Sequence, residues 1–186
     1  MGGCKIRGIK TVNNEKLILG HAGKEDSTAV TVDINPVLNP DVVHDLNKIP
    51  WPFKDSQFKQ IICHHVLEHL EDLQGPMAEL HRICSREGEI YIEVPYRTSW
   101  CADAPYHKLR FGWFALDPYL EGRGDRWLTN TKRFMVLEQK ITFHKHFRRY
   151  LLHKLFNRFP FYYERFWSYI IPAEHLVFRL RPLKTL

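Results

Sequence analysis

Lys16-Leu17-Ile18-Leu19-Gly20-His21-Ala22-Gly23 and, after a short gap, Val30-Thr31-Val32-Asp33-Ile34-Asn35-Pro36 decide the reading of this chain. An apolar run ends in a glycine-bearing turn. A second apolar run follows and ends in an acid. A nucleotide-type cofactor site is commonly built this way. The turn lets backbone approach the ligand, and the carboxylate at the next strand's end can take two ribose hydroxyls. Taken alone, the same residues also fit an ordinary strand–turn–strand with a surface aspartate, so the pattern must be followed along the chain.

Residues 16–20 and 29–34 read as short buried strands, and 42–46 as a third. Pro50-Trp51-Pro52-Phe53 is a turn, since proline bars a continued helix there. Residues 58–65 form a fourth strand, whose Ile61-Ile62-Cys63 core suits a central parallel position. Residues 66–73 read as a helical turn or two. Gly75-Pro76 then interrupts, with Pro76 placed to start a helix whose apolar stripe is Met77, Leu80, Ile83 and Cys84. Gly88 is expected to stop that helix, and 89–95 is a fifth strand. Residues 96–130 look irregular, and a connection of that length in a compact domain usually serves function. The chain closes with a long strand over 134–147, a helix over 148–158 and a last strand over 175–183. Strands alternating with turns or helices predict an α/β fold with a mostly parallel sheet. In such sheets the ligand lies across the carboxyl ends of the strands. Those ends carry Gly20, Asp33, Asp45, His64 and Pro95, so the candidate polar residues share one rim.

The 186 residues, 44% hydrophobic and 26% charged, suit a single globular domain rather than a disordered chain. It divides into a cofactor-binding half (16–95), a substrate loop (96–133) and a basic aromatic C-terminal segment (134–186). No run approaches the roughly 18 apolar residues of a membrane span, and no secretory signal opens the chain. Cys4, Cys63, Cys84 and Cys101 make no CxxC pair, which fits a reducing cytoplasm. Residues 131–186 hold twelve Lys and Arg against three Glu, a net of +9, while the rest of the chain stands at −3. Ten aromatics from Phe143 to Trp167 are interleaved with these cations. That mixture reads either as a nucleic-acid or acidic-surface face, or as core aromatics with solvated charges.

Taken in order, the blocks Leu17 to Gly23, Val32-Asp33-Ile34-Asn35-Pro36, Val43-His44-Asp45-Leu46, Trp51-Pro52-Phe53, His65-Val66-Leu67-Glu68-His69-Leu70 and Glu79-Leu80-His81-Arg82-Ile83 resemble a class I S-adenosylmethionine-dependent methyltransferase of the small type 11-like branch. The resemblance runs from about residue 17 to 95 and continues more loosely beyond. It implies a Rossmann-like seven-stranded sheet, mostly parallel, with an antiparallel last strand. It also implies S-adenosylmethionine as cofactor, released as S-adenosylhomocysteine. Gly20, His21, Ala22 and Gly23 would then line the methionine and ribose. Asp33 and its neighbour Ile34 would meet the ribose, Asp45 and Leu46 the adenine, and His64 would stand beside the sulfonium.

The chain departs from the family in two ways. Ala22 stands where a second glycine is usual, which would cost roughly 1 kcal/mol or more if positive φ is needed there. The gaps 24–28 and 37–41 are too short for crossover helices, leaving one sheet face thinly covered and a partner or homodimer open. His64, His65 and His107 are the candidate general bases. Tyr96, Arg97, Tyr106, His107 and Trp113 are the expected acceptor walls. His65 and His69 are four apart, but no third ligand is apparent locally, so no metal is expected and Glu68 with His69 reads as a polar cluster steadying the loop. The leading expectation is methyl transfer to an unidentified small-molecule or glycan-like acceptor. An RNA methyltransferase using the basic tail and a non-catalytic binding module of the same fold are the alternatives.

Overall fold

Short aliphatic runs placed side by side build a sheet that is buried on one face: Leu17, Leu19, Ile61, Cys63, Ile90 and Ile92 are buried, while Ile18, Ile62 and Tyr91 between them are only half-buried. The computed structural model describes residues 5–6, 15–20, 26–123, 133–148 and 151–184. Its strands are β1 (Lys5–Ile6), β2 (Lys16–Leu19), β3 (Val30–Asp33), β4 (Val42–Val43), β5 (Phe58–His64), β6 (Cys84–Pro95), β7 (Phe134–Ile141) and β8 (His175–Pro182). They form one sheet in the order β1-β4-β3-β2-β5-β6-β8-β7. Strands β2 to β8 are the expected seven, and β1 is an antiparallel addition beside β4. Strands β2 to β6 pair in parallel, and β8 runs antiparallel between β6 and β7. The chain steps outward from β2 to β3 and β4, then returns to β5 on the other side of β2. The order therefore reverses between β2 and β5, which opens a crevice at their carboxyl ends.

Leu17 and Leu19 of β2, Ile61 and Cys63 of β5 and Ile90, Ile92 and Val94 of β6 are fully buried. Helix α1 (Gln74–Ile83) adds Met77, Leu80 and Ile83 to that core, as its stripe predicts. Burial pushes the free thiols of Cys63 and Cys84 up, the latter to about 12, so both act as inert packing groups. The link between β3 and β4 is one 3₁₀ turn, Pro36–Leu38, capped by Asn35. Asp41 replaces the missing helix as a brace, accepting from the Thr31 amide at 2.9 Å and hydroxyl at 2.8 Å.

Three expectations about elements need correction. Helix α1 ends at Ile83, not at Gly88, because Cys84 is already extended and pairs with Phe58. Gly88 serves the bulge that follows: a Cβ there would lie 2.7 Å from Cys84 Sγ and 3.0 Å from the Lys59 carbonyl. Strand β7 stops at Ile141 and gives way to α2 (Lys145–Arg148). Beyond α3 (Leu152–Arg158), α4 (Pro160–Tyr162) runs into a π-helical turn, Tyr163–Trp167, where the sequence pattern predicts no element. Aromatics point all round this segment, so it carries no clear 3.6-residue period. Phe143, Phe156 and Tyr163 are core, while Phe159, Phe161, Tyr162, Phe166 and Trp167 remain exposed.

Glu164 ties this segment to the long loop after β6. It pairs with Arg97 at 3.1 Å, accepts from the Trp113 amide at 3.2 Å and receives the buried Tyr96 hydroxyl. Glu164→Ala would strand that hydroxyl, a loss of about 1–3 kcal/mol. Faster tryptic cleavage at Arg97, Lys108 or Arg110 is the expected readout, and unchanged cleavage would show that the loop is held elsewhere.

Candidate active site

The carboxyl ends of β2, β3 and β5 border a cavity of about 630 Å³. Gly20, Asp33, Ile34, Asp45, Leu46, His64 and His65 all line it, so seven residues singled out from the sequence converge on one site. His21, Ala22 and Gly23 lie outside the described residues.

Gly20 ends β2 with φ +73°, a conformation natural to glycine, and its amide donates to the Val32 carbonyl at 3.0 Å. A Cβ at this position would run into Val66 Cγ2, so backbone alone forms this wall. Asp33 ends β3, and one of its oxygens accepts from the Asn35 amide at 2.8 Å. Among the described residues its other oxygen has no partner. Asp45 follows β4 and also closes a local turn, accepting from the Asn47 amide and side chain at 3.1 Å. Burial opposes its charge, but the Asn47 donors, with Lys48 3.7 Å away, hold its carboxyl below the usual range. Two carboxylates thus stand on one rim, each steadied by its own turn.

At the end of β5 the chain turns sharply, with His65 at φ 54° and its amide on the Glu93 carbonyl at 2.9 Å. The turn sets two successive imidazoles side by side, with ring centres 4.5 Å apart. The His64 side chain is half exposed, with Nε2 3.4 Å from Glu93 Oε1. His65 Nδ1 lies 3.0 Å from Glu68 Oε1, and Glu68 is 1% exposed. That hydrogen bond raises the His65 pKa, outweighing the opposite pull of burial. His175, on β8, brings a third ring within 5.1 Å of His65, and burial lowers its pKa.

The expected acceptor walls are placed differently. Tyr96 is fully buried, and with Arg97 and the Trp113 amide it is drawn to Glu164 rather than into the cavity. Tyr106 is exposed and stacks on His69. His107 does not line the cavity, whereas its neighbour Lys108 does. Sequence reasoning missed His44, Asn47, Val66 and Leu70 as lining groups. They flank residues it did select, and the short turns that carry the selected residues bring the neighbours in with them.

A mostly parallel sheet with this order, closed by an antiparallel pair, defines a class I, Rossmann-like fold. Residues 17–92 match the type 11 family model described as "Methyltransferase domain". That match covers under half of the chain, and the chain as a whole shares its fold with S-adenosylmethionine-dependent methyltransferases of known structure. Comparison with curated protein sequences finds no match. Among solved structures, a SAM-dependent methyltransferase from Archaeoglobus fulgidus superposes with TM-score 0.57 at 14% identity, over 89% of this chain and 85% of that one. A putative methyltransferase from Haloferax volcanii, in complex with the activator Trm112, gives 0.56 at 13% identity over 91% and 82%. The 1,6-didemethyltoxoflavin-N1-methyltransferase of Burkholderia thailandensis, with 1,6-didemethyltoxoflavin and S-adenosylhomocysteine bound, gives 0.53 at 12% identity over 91% and 71%. At such identities these structures share the fold. Among the described residues no helix is long and apolar enough to cross a membrane.

Proposed function

We propose that this protein transfers a methyl group from S-adenosylmethionine to a small-molecule or glycan-like acceptor. The observation that carries this reading is the convergence of Gly20, Asp33 and Asp45 on one cavity at the switch in strand order. The residues present fit the cofactor: a wall that a Cβ would fill, and two carboxylates whose turns aim them at the rim. When bound, S-adenosylmethionine supplies a methyl group already activated by its sulfonium charge and leaves as S-adenosylhomocysteine. Gly20 lets the backbone come close, Asp33 receives the ribose hydroxyls, and Asp45 with Leu46 holds the adenine.

What remains for the protein is to orient the acceptor, exclude water and take a proton. His64 is assigned the proton, since it is half exposed, lines the cavity and is oriented by Glu93. His65, fixed by the buried Glu68, supports it from the next position. With labelled cofactor and pooled acceptors, His64→Ala is expected to lower kcat by about a hundredfold or more, with a smaller change in cofactor affinity. Equal kcat in variant and wild type would remove His64 from the chemistry.

An RNA acceptor is the second reading, and the basic aromatic segment favours it. Arg158 and Arg165 lie against the exposed rings of Phe159 and Phe166. None of these residues lines the cavity. Labelling of an RNA pool alone, lost at raised salt, would replace the small-acceptor reading.

A further inference from the structure

Glu68 and His69 come from one 3₁₀ turn, Leu67–His69, and His107 from the loop after β6. The loop is clamped onto the turn by backbone: the amides of Lys108 and Leu109 both donate to the Glu68 carbonyl, at 2.7 and 3.1 Å. One donor atom each from Glu68, His69 and His107 lies within 4.8 Å of the others. Glu68 is 1% exposed, and only its Oε1 is engaged, by His65 Nδ1 at 3.0 Å. Among the described residues, Glu68 Oε2 and His107 Nδ1 are buried with no hydrogen-bond partner. Native folds seldom leave a buried carboxylate oxygen or imidazole nitrogen unpaired, and a missing ion is a standard reason for it.

We propose that Glu68, His69 and His107 bind a divalent transition-metal ion of the zinc class. Two imidazoles and a carboxylate suit zinc and its neighbours, whereas magnesium and calcium prefer all-oxygen sites. The outer contacts of a metal site are also in place. His69 Nδ1 lies 3.4 Å from the Tyr106 carbonyl, leaving Nε2 to ligate, and His65 steadies the carboxylate through its other oxygen. Three protein donors leave a coordination position for a further ligand, and His69 also lines the cofactor cavity. A second group, His64, His65 and Glu93, is geometrically close as well. There Glu93 is already engaged, by the Tyr91 hydroxyl on one oxygen and by His64 and His175 around the other, so no buried donor is left waiting. The third ligand that the sequence does not reveal is His107, which the loop carries back to the Glu68 turn.

Tag-free protein, stripped with a chelator, is titrated with zinc by calorimetry and with cobalt by visible absorption. One ion per chain is expected, with the visible bands of a low-coordinate cobalt site. His107→Ala and Glu68→Gln should each weaken binding by about a hundredfold or more, and His65→Ala by roughly 10–100-fold. His64→Ala should leave it within about threefold, since removing a side chain outside the cluster takes away no ligand. Circular dichroism checks each fold, and His107→Ala, on a half-exposed loop, decides the matter if Glu68→Gln misfolds. Zinc binding weaker than roughly 100 μM overturns the proposal, as does binding retained in His107→Ala or lost in His64→Ala instead. No cofactor is present in these titrations, so the proposal stands or falls apart from methyl transfer.

Discussion

Gly20→Ala is expected to destabilise the protein by roughly 2–5 kcal/mol and to weaken cofactor binding with it. Two independent costs add. At φ +73° an alanine enters the left-handed region, worth about 1–2 kcal/mol. The new methyl group also meets Val66 Cγ2, and crowding a packed site costs about 1–3 kcal/mol. Val66 is itself buried and cannot swing into solvent. Val66→Ala in the same chain should therefore recover the steric part and leave the backbone part. Urea unfolding of the two single variants and the double variant measures this coupling. A Gly20→Ala protein within about 0.5 kcal/mol of wild type would mean that β2 does not end in a left-handed residue packed against Val66.

The second large effect is at Glu79, on the inward face of α1. Its carboxylate accepts from the Trp51 amide at 2.7 Å and from two nitrogens of Arg82, at 2.8 and 2.7 Å. Arg82 reaches on to the carbonyls of Phe53 at 2.7 Å and Trp51 at 3.1 Å. The Pro50-Trp51-Pro52-Phe53 turn has no regular ladder, and this pair supplies its hydrogen bonds instead. Glu79→Ala leaves the buried Trp51 amide without its acceptor and takes two hydrogen bonds from the half-buried Arg82 guanidinium, which keeps Asp55 and the two carbonyls, and about 2–3 kcal/mol of stability should go with it. Burial raises the Glu79 pKa, but the Arg82 and Trp51 donors and the Arg82 charge outweigh it and hold the group lower overall. A lowered folded pKa gives stability that is complete above the ordinary glutamate value of 4.5 and is lost as pH falls through the folded value. Wild type should therefore lose stability below about pH 4.5, and Glu79→Gln should lose less in that window. Parallel acid slopes for the two proteins would show that this pair makes no pH-dependent contribution.

The cofactor half was legible because its signals are local. Residues 17–19, 30–32, 42–43 and 61–63 are short runs rich in aliphatic and β-branched residues that read as strands, and Gly20, Asp33, Asp45 and His64 each end or follow one of them. Strand ends share a rim in a parallel sheet, so one topology places all four. The acceptor side was not legible in the same way. Tyr96, Arg97 and Trp113 look like pocket walls in sequence, but Glu164, far along the chain, takes their polar groups. His107 looks like a base but lies beside Glu68, because two backbone hydrogen bonds from its neighbours close the loop there. Glu68, in a stretch rich in charge, is buried, which no periodicity in a three-residue turn announces.

Cofactor binding tests the account most directly. S-adenosylmethionine and S-adenosylhomocysteine are titrated into wild type and Asp33→Ala by calorimetry. Wild type should bind both in the micromolar range, and Asp33→Ala should lose about 1.5–3 kcal/mol of that affinity as the charged hydrogen bonds to the ribose disappear. Absence of binding by folded wild type at millimolar cofactor would contradict the assignment of this cavity.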